Sequence, residues 1–423
     1  MTMTMTMKTT ISAAALMLSA VAAQAQEIRF MCHGDGTECA SAMAIFERFE
    51  AANPGVDIVL DKVPYQTILE SLPIQLAGGT GPDIASVTDL GGLNQYYLDL
   101  TPYVDADYWT ASFGGTLDWY RGGEDRQGIY GMHSGLTITG AYINRTLFDQ
   151  AGVEVPSADA DWDTWAAATR EVAEATDTTF PMAMDRSGHR IAGPAISYGA
   201  QYFDAAGEPI LVDEAFQAYI QKFVDWNNDG TMAKEVWGGQ GGSTYRDAKQ
   251  EFFNGELVYY FSGSWQVGSF EENIGDLFDW EVVGSPCGAG GCTGMPGGTG
   301  YVGFAQTEHP EIVAAAIDFL AQEQNYADYT NSARSIPAHA GVAAAGVAYE
   351  GASPEAAAAL NGWSAQVGKL EPIAFAYQGH PNNRAMFNIT VTRVSQAVAG
   401  ELTVPEAMDR MKDDLAAAMA EAN

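Results

Sequence analysis

Basic residues are scarce in this chain: 20 Lys and Arg stand against 54 Asp and Glu over 423 residues, a formal net charge of −34. Gripping a phosphate backbone needs a basic stripe, and the lack of one excludes nucleic acid as a partner. Acid in such surplus reads as a solubility device suited to a salty habitat, and it disfavours a strongly anionic ligand wherever local cations do not override the global field. Histidine is also sparse. His33, His133, His189, His309, His339 and His380 are scattered, with no H-E-x-x-H pair, so no constellation for metal catalysis is visible. There is no G-x-S-x-G nucleophile elbow and no phosphate-binding P-loop, and no cofactor is expected. Long apolar runs are missing as well, apart from Ile11 to Ala23, which is too short to span a bilayer.

That one run follows Lys8 and ends in Ala23-Gln24-Ala25, an A-x-A cleavage signal, so residues 1–25 are expected to be a signal peptide and Gln26 the mature terminus. The MTMTMTM start leaves Met7 as a second possible initiator. Removing Lys8 with the leader takes the charge from −34 to −35. No cysteine stands at the cleavage point, which points to a free periplasmic protein rather than a lipoprotein. An oxidising compartment permits disulfides, and the four cysteines fall into two close pairs, Cys32 with Cys39 and Cys287 with Cys292. Two local bridges are expected, although sequence alone leaves three connectivities open. Zinc is the competing reading, but neither pair has the second ligand pair that a structural zinc site needs.

A chain of this length is long for one hydrophobic core and comfortable for two of about 150 to 200 residues each. Strand-like Ile28 to Cys32, Val56 to Leu60 and Ile84 to Val87 alternate with helical segments. One carries Ala42, Ile45, Phe46 and Phe49 on a single face; the other runs from Tyr65 to Ala77 with Pro73 as a kink or early stop. This order predicts an α/β unit with parallel strands. The stretch Gly131 to Gly152 passes from a loop through β-branched and aromatic residues into a helix, with Asn144 as N-cap and Gly152 as stop, and is expected to carry the chain from one domain into the next. Beyond it, Asp163 to Thr176 reads as helix, Phe180 to Met184 and Leu257 to Phe261 as strands, and Pro310 and Thr403 as the openings of further helices. Gly284 to Gly300 is expected to be a long loop with a job of its own.

Two enzyme-like signals are weak. Asp225-x-Asn227-x-Asp229-Gly230 imitates the start of a calcium loop, yet Val236 occupies the position of the required glutamate. A carboxylate pair for glycoside hydrolysis is a fact of three dimensions that no local feature here singles out. Aromatic residues, 11% of the chain, do stand beside loop polar groups at Tyr65, Tyr202, Trp265, Trp363, Tyr377 and Phe387, a mixture suited to sugar faces and hydroxyls as well as to packing.

Several segments then fall into a known order. Gly81-Pro82-Asp83-Ile84, Tyr142 to Phe148 with Ala151-Gly152, Trp162-Asp163 with Trp165, Gly255 to Trp265 and Pro310-Glu311 together resemble the extracellular solute-binding proteins of bacterial ABC importers, in particular the sugar-binding branch that includes maltose-binding protein. The resemblance covers essentially the whole mature chain. It implies an α/β fold of two lobes joined by three hinge crossings, the first lobe about 27–136 plus 302–339 and the second about 140–300 plus 345–423. Ligand would bind between them, at the carboxyl ends of strands, and hinge closure would present both lobes to the importer's membrane subunits.

The resemblance implies the following binding residues: His33 and Asp35 after the first strand, Thr88 and Asp89 after the GPDI strand, His133 and Ser134 at the first crossing, Trp265 as a stacking face with Phe387 as another, and Gly298 and Gly300 as a glycine loop at the second crossing. Beside these, the aromatic residues Tyr65 and Tyr202 and the cations Arg334 and Arg384 are expected in the site on their residue types alone, Arg384 also lying one turn before Phe387. The expected function is capture of a mono- or oligosaccharide by a monomeric, non-catalytic importer component. The alternatives are an exported carbohydrate-active enzyme, the same fold serving a membrane receptor, and a non-sugar ligand such as a polyamine or phosphodiester. A phosphodiester would need Arg246, Arg334 or Arg384 to converge.

Overall fold

The expected first strand, β1 (Gln26–Cys32), is flanked on both sides, by β2 (Val56–Lys62) and β3 (Ile84–Val87), each pairing with it in parallel. A strand buried on both faces reads as an unbroken apolar run, and all four residues of β3 are buried. The computed structural model describes residues 26–121, 127–239 and 241–422, with Met1; residues 2–25, the bulk of the expected signal peptide, lie outside the described residues. Between β1 and β2 the helix Glu38–Ala52 turns Cys39, Ala42, Ile45, Phe46 and Phe49 inward. The single helix expected from Tyr65 to Ala77 is two, Tyr65–Glu70 and Leu72–Ala77, with Pro73 in the first turn of the second. There its missing N–H leaves no bond unmade.

Five more strands follow: β4 (Met132–Asn144), β5 (Phe180–Met184), β6 (Leu257–Gly263), β7 (Trp280–Gly284) and β8 (Pro296–Gly303). The hydrogen-bonded order is β2-β1-β3-β8-β4-β6-β5, with β7 also on β4. Met132 to Ile138 of β4 pairs antiparallel with β8, whereas Thr139 to Asn144 pairs with β6 and β7. Buried apolar residues gather into a first core of two clusters, drawn from 28–132 and 301–342, and a second of one cluster, from 138–295 and 336–415. The stretch around Gly131 to Gly152 runs from the edge of the first into the second. Its helical end is capped as its residues suggest: Asn144 accepts from the Leu147 amide, and Gly152 adopts φ 69°.

The stretch Gly284 to Gly300 departs from expectation. Its last residues are not a loop but the start of β8. The glycines that suggest irregular backbone serve close packing instead: a Cβ on Gly298 would overlap the His133 ring and the Gly135 carbonyl, and one on Gly300 would overlap the Tyr120 ring. Cys287 and Cys292 are bridged at a hairpin-like turn ahead of β8, and Cys32 and Cys39 are bridged at the end of β1.

A buried relay links the crossing strand to the second core. The Tyr142 hydroxyl donates to the Gly263 carbonyl at 2.9 Å and accepts from Trp363 Nε1–H at 2.9 Å. Tyr142→Phe strands both partners in a fully buried site and should destabilise the protein by about 1–3 kcal/mol. Urea denaturation measures this, and an unchanged midpoint would contradict it.

Candidate binding site

Four strands end at one cleft. Each parallel strand has its carboxyl end there, and the chain after each end is free to present side chains: His33-Gly34-Asp35 after β1, Thr88 after β3, Arg186-Ser187 after β5, and Ser264-Trp265 after β6. The crossing strands β4 and β8 supply the floor through Ser134 to Thr137 and Gly297 to Thr299. Asn383, Arg384, Phe387 and Asn388, from the helix Asn383–Ala399, complete one wall. The cleft is open at its mouth, and the space between its walls, open solvent included, is about 1370 Å³.

On the first side, the Cys32–Cys39 bridge closes the base of the His33 loop. Ser86 Oγ accepts from the His33 amide at 2.9 Å and lies 2.8 Å from His33 Nδ1, within hydrogen-bonding distance. Burial holds His33 down at about 4, against a weaker upward pull from Asp35. The Tyr65 ring lies 5.0 Å from His33 and 5.5 Å from Tyr245 of the opposite side. Two polar contacts also cross the cleft. Arg384 Nη2 donates to Thr88 Oγ1 at 3.2 Å, beside the Tyr65 hydroxyl at 2.9 Å from the same oxygen, and Lys249 Nζ pairs with Asp35 at 2.7 Å. Glu38, behind this loop, is pushed up to about 7 by burial.

On the second side the organising group is Asp185, which is fully buried. It accepts from Tyr260 and Ser262 hydroxyls at 2.6 Å each, from Tyr245 at 3.2 Å and from the Ala248 amide at 3.2 Å. Burial raises its carboxyl while nearby Arg190 pulls it down. Arg190 Nε stands 3.7 Å from it, and the Arg190 guanidinium lies 4.2 Å over the Trp265 ring. Trp265, expected to offer a free stacking face, thus has a cation stacked against it. Arg334 turns to Glu271 at 3.1 Å and to the Asn331 carbonyl at 2.6 Å, bracing the cleft edge.

Of the residues expected in the site, His33, Asp35, Tyr65, Thr88, Ser134, Trp265, Gly298, Arg334, Arg384 and Phe387 border the cleft. Phe387 does so as a largely buried ring against Tyr377 and His189, and Ser134 spends its hydroxyl on the Thr299 carbonyl at 2.7 Å. Four lie elsewhere. Asp89 borders a smaller neighbouring pocket, where it accepts from the Gly92 amide to close a turn. His133 is fully buried, receiving the Tyr120 hydroxyl on Nδ1 at 3.0 Å with Nε2 at 3.3 Å from the Gly297 carbonyl. Tyr202 stacks on Tyr377 at 4.2 Å inside the second core, and Gly300 faces Tyr120. Arg246 is also outside, held by the Glu235 carbonyl and Glu251. Arg186, Ser187, His189, Arg190 and Tyr245 border the cleft without having been expected there. A signal existed: they follow or pack beside a recognisable strand, Phe180 to Met184, just as His33 follows β1.

The groups assembled here are flat aromatic faces, hydroxyls, amides, imidazoles and guanidiniums converging from two sides, which is equipment for holding a polar organic molecule. The two carboxylates on the lining, Asp35 and Glu38, come from one loop and helix of a single side. A sheet whose two cores flank a cleft bridged by shared strands defines a two-lobed binding protein. Residues 33–327 match the model of the bacterial extracellular solute-binding protein family, and the chain belongs to that family.

The arabinooligosaccharide-binding protein of Bacillus subtilis is 25% identical over 269 residues, covering 61% of this chain and 59% of that protein. Among solved structures, an ABC substrate-binding protein of Listeria monocytogenes in complex with cycloalternan superposes with TM-score 0.79 at 17% identity, over 94% of this chain and 100% of that one. The GacH receptor of Streptomyces glaucescens, solved unliganded and with acarbose, gives 0.76 at 18%, over 94% and 99%. These likenesses show the fold, and these relatives are binding proteins rather than enzymes.

Burial keeps three histidines neutral, His33 and His133 at about 4 and His189 at about 3, against an ordinary value of 6.5. The unfolded chain takes up protons as pH falls below 6.5 and the folded protein does not. The stability these groups contribute is therefore complete above 6.5 and lost as pH falls towards 4. Glu38, held up at about 7, works the other way, since its contribution is present below 4.5 and lost as pH rises through 7. Replacing the fully buried His133 with Gln should reduce the loss of stability between pH 7 and 4.5 by on the order of 1–3 kcal/mol. Denaturation at the two pH values measures it, and an unaltered difference would refute it.

Proposed function

We propose that this protein captures a mono- or oligosaccharide in its cleft and delivers it to the membrane subunits of an ABC importer. The observation that carries the reading is the pairing of aromatic faces with polar groups from both sides: Tyr65 and Thr88 on one, Tyr245, Trp265, Asn383 and Arg384 on the other. Pyranose rings present a C–H face and a rim of hydroxyls, and this mixture meets both. Membership of the solute-binding family and the printed ligands of its relatives, arabinooligosaccharide, cycloalternan and acarbose, support the same class.

In this reading the lobes are 27–136 plus 302–339 and 140–300 plus 345–423, and the leader is removed on export to the periplasm. The protein acts as a monomer without turning over its ligand. Contacts such as Arg384 to Thr88 and Lys249 to Asp35 span the cleft, so a ligand between them touches both walls at once and favours closure through that differential binding.

A thermal-shift screen against a sugar panel tests the class. Ligand at about 100 times its dissociation constant should add roughly 2.7 kcal/mol of stability. A melting temperature raised by a polyamine or peptide and by no saccharide would overturn the assignment, and release of product from an incubated oligosaccharide would overturn the claim of a non-catalytic protein. Trp265→Ala should weaken sugar binding at least about tenfold, near 1.4 kcal/mol, with the fold retained by circular dichroism; unchanged affinity removes Trp265 from the site.

A further inference from the structure

Resting on the saccharide reading, we infer that the ligand is an acidic sugar, with a singly charged group, carboxylate or sulfate ester, taken by Arg190 and Arg384.

The cleft inverts the charge balance of the chain. Acids outnumber bases 54 to 20 overall, yet the lining holds four arginines, Arg186, Arg190, Arg334 and Arg384, and two carboxylates, Asp35 and Glu38. Those carboxylates are engaged: Asp35 pairs with Lys249 at 2.7 Å, and the Glu38 carboxyl receives the Gly36 amide at 2.9 Å. Arg334 is committed to Glu271, and Arg186 to the carbonyls of Gly242 and Thr244.

Arg190 and Arg384 are different. Arg190 is only 9% exposed, and its buried Nε makes no hydrogen bond. Its nearest acid, Asp185 at 3.7 Å, already accepts four hydrogen bonds from other donors. Arg384 gives one N–H to the neutral Thr88 hydroxyl, its buried Nε is unpartnered, and no carboxylate forms an ion pair with it among the described residues. His189 borders the same wall: its Nδ1 is 3.2 Å from Arg190, and burial first, then both guanidiniums, depress its affinity for a proton.

A cation taken from water without a matching anion is costly, and these two guanidiniums have one carboxylate between them, Asp185 beside Arg190, in a chain that has acid to spare. An incoming oxyanion offsets that cost. The planar guanidinium fork fits a carboxylate or sulfate, and the stacking of Arg190 on Trp265 holds one such fork in place beside an aromatic face. The amino ends of the helices Gly188–Ser197 and Asn383–Ala399 open on the same wall and add partial positive charge. A single charge suits the site better than a dianion, because each added negative charge meets the field of the −34 chain.

Isothermal titration of the purified protein decides the matter, using D-galacturonate, D-glucuronate, their disaccharides and galactose 6-sulfate beside the matching neutral sugars. An acidic sugar should bind at least about tenfold more tightly than its neutral counterpart. Arg384→Gln, a partly buried position in the first turn of its helix, should weaken acidic sugars at least about tenfold more than their neutral counterparts, whatever it costs both. Arg190→Lys, which keeps the charge and loses the fork, should weaken acidic sugars selectively. Preference for the uronates identifies a carboxylate, and preference for the sulfated sugar a sulfate ester. A neutral sugar that binds as tightly as its acidic partner, or an Arg384→Gln protein weakened equally for both, overturns the inference and leaves the saccharide reading intact. Failure of acidic and neutral saccharides alike, with binding of another ligand class, overturns both.

Discussion

The antiparallel pairing of β4 with β8 is the constraint on which the rest depends. These strands pass from one hydrophobic core to the other and keep their hydrogen bonds while doing so. A ribbon that must lie flat under a cleft, with His133 and Tyr120 packed closely over it, has no room for side chains at Gly298 and Gly300. Both cores are thereby tied to one floor, and the loops that close the walls are hung from strand ends whose positions the ribbon has already set.

Behind the second wall, polarity is handled by concentration. Asp185 gathers two tyrosine hydroxyls, a serine hydroxyl and a backbone amide, and so brings Tyr245 and Tyr260 from separate parts of the chain into register with the start of the helix Gly188–Ser197. A satisfied buried network of this kind specifies one arrangement of its neighbours. Its effect reaches the lining through Arg190, whose guanidinium is held between this carboxylate and Trp265.

Local pattern was enough to read β1 to β6 and some of the helices, but not β7 or β8. Ile84 to Val87 and Phe180 to Met184 have the expected bounds, because all four residues of the first and the last three of the second are buried and leave an apolar run. Pattern failed where one residue type serves two physical purposes. Glycine signals a loop by freeing the backbone, yet in β8 it permits close packing. Tyr202 and His133 carry polar atoms that suit a ligand, but Tyr202 is stacked away in a core and His133 is satisfied by Tyr120 and Gly297. Arg190 was missed for the opposite reason: its place on the lining follows from Trp265, far away in the chain, as well as from Asp185, and that is a property of distances rather than of local pattern.

The contrast between the cleft and its surroundings separates how a ligand is held from how it arrives. An acidic solute approaching a surface with so large an excess of carboxylates is repelled over roughly the Debye length, about 10 Å at 0.1 M salt, before it meets the arginines inside. Raising ionic strength shortens that reach and quickens encounter, while the partly buried contacts within are screened much less. For such a molecule the capture rate would climb with salinity over a range in which the residence time hardly moved, and a briny medium would become a working condition of uptake rather than a stress to be survived.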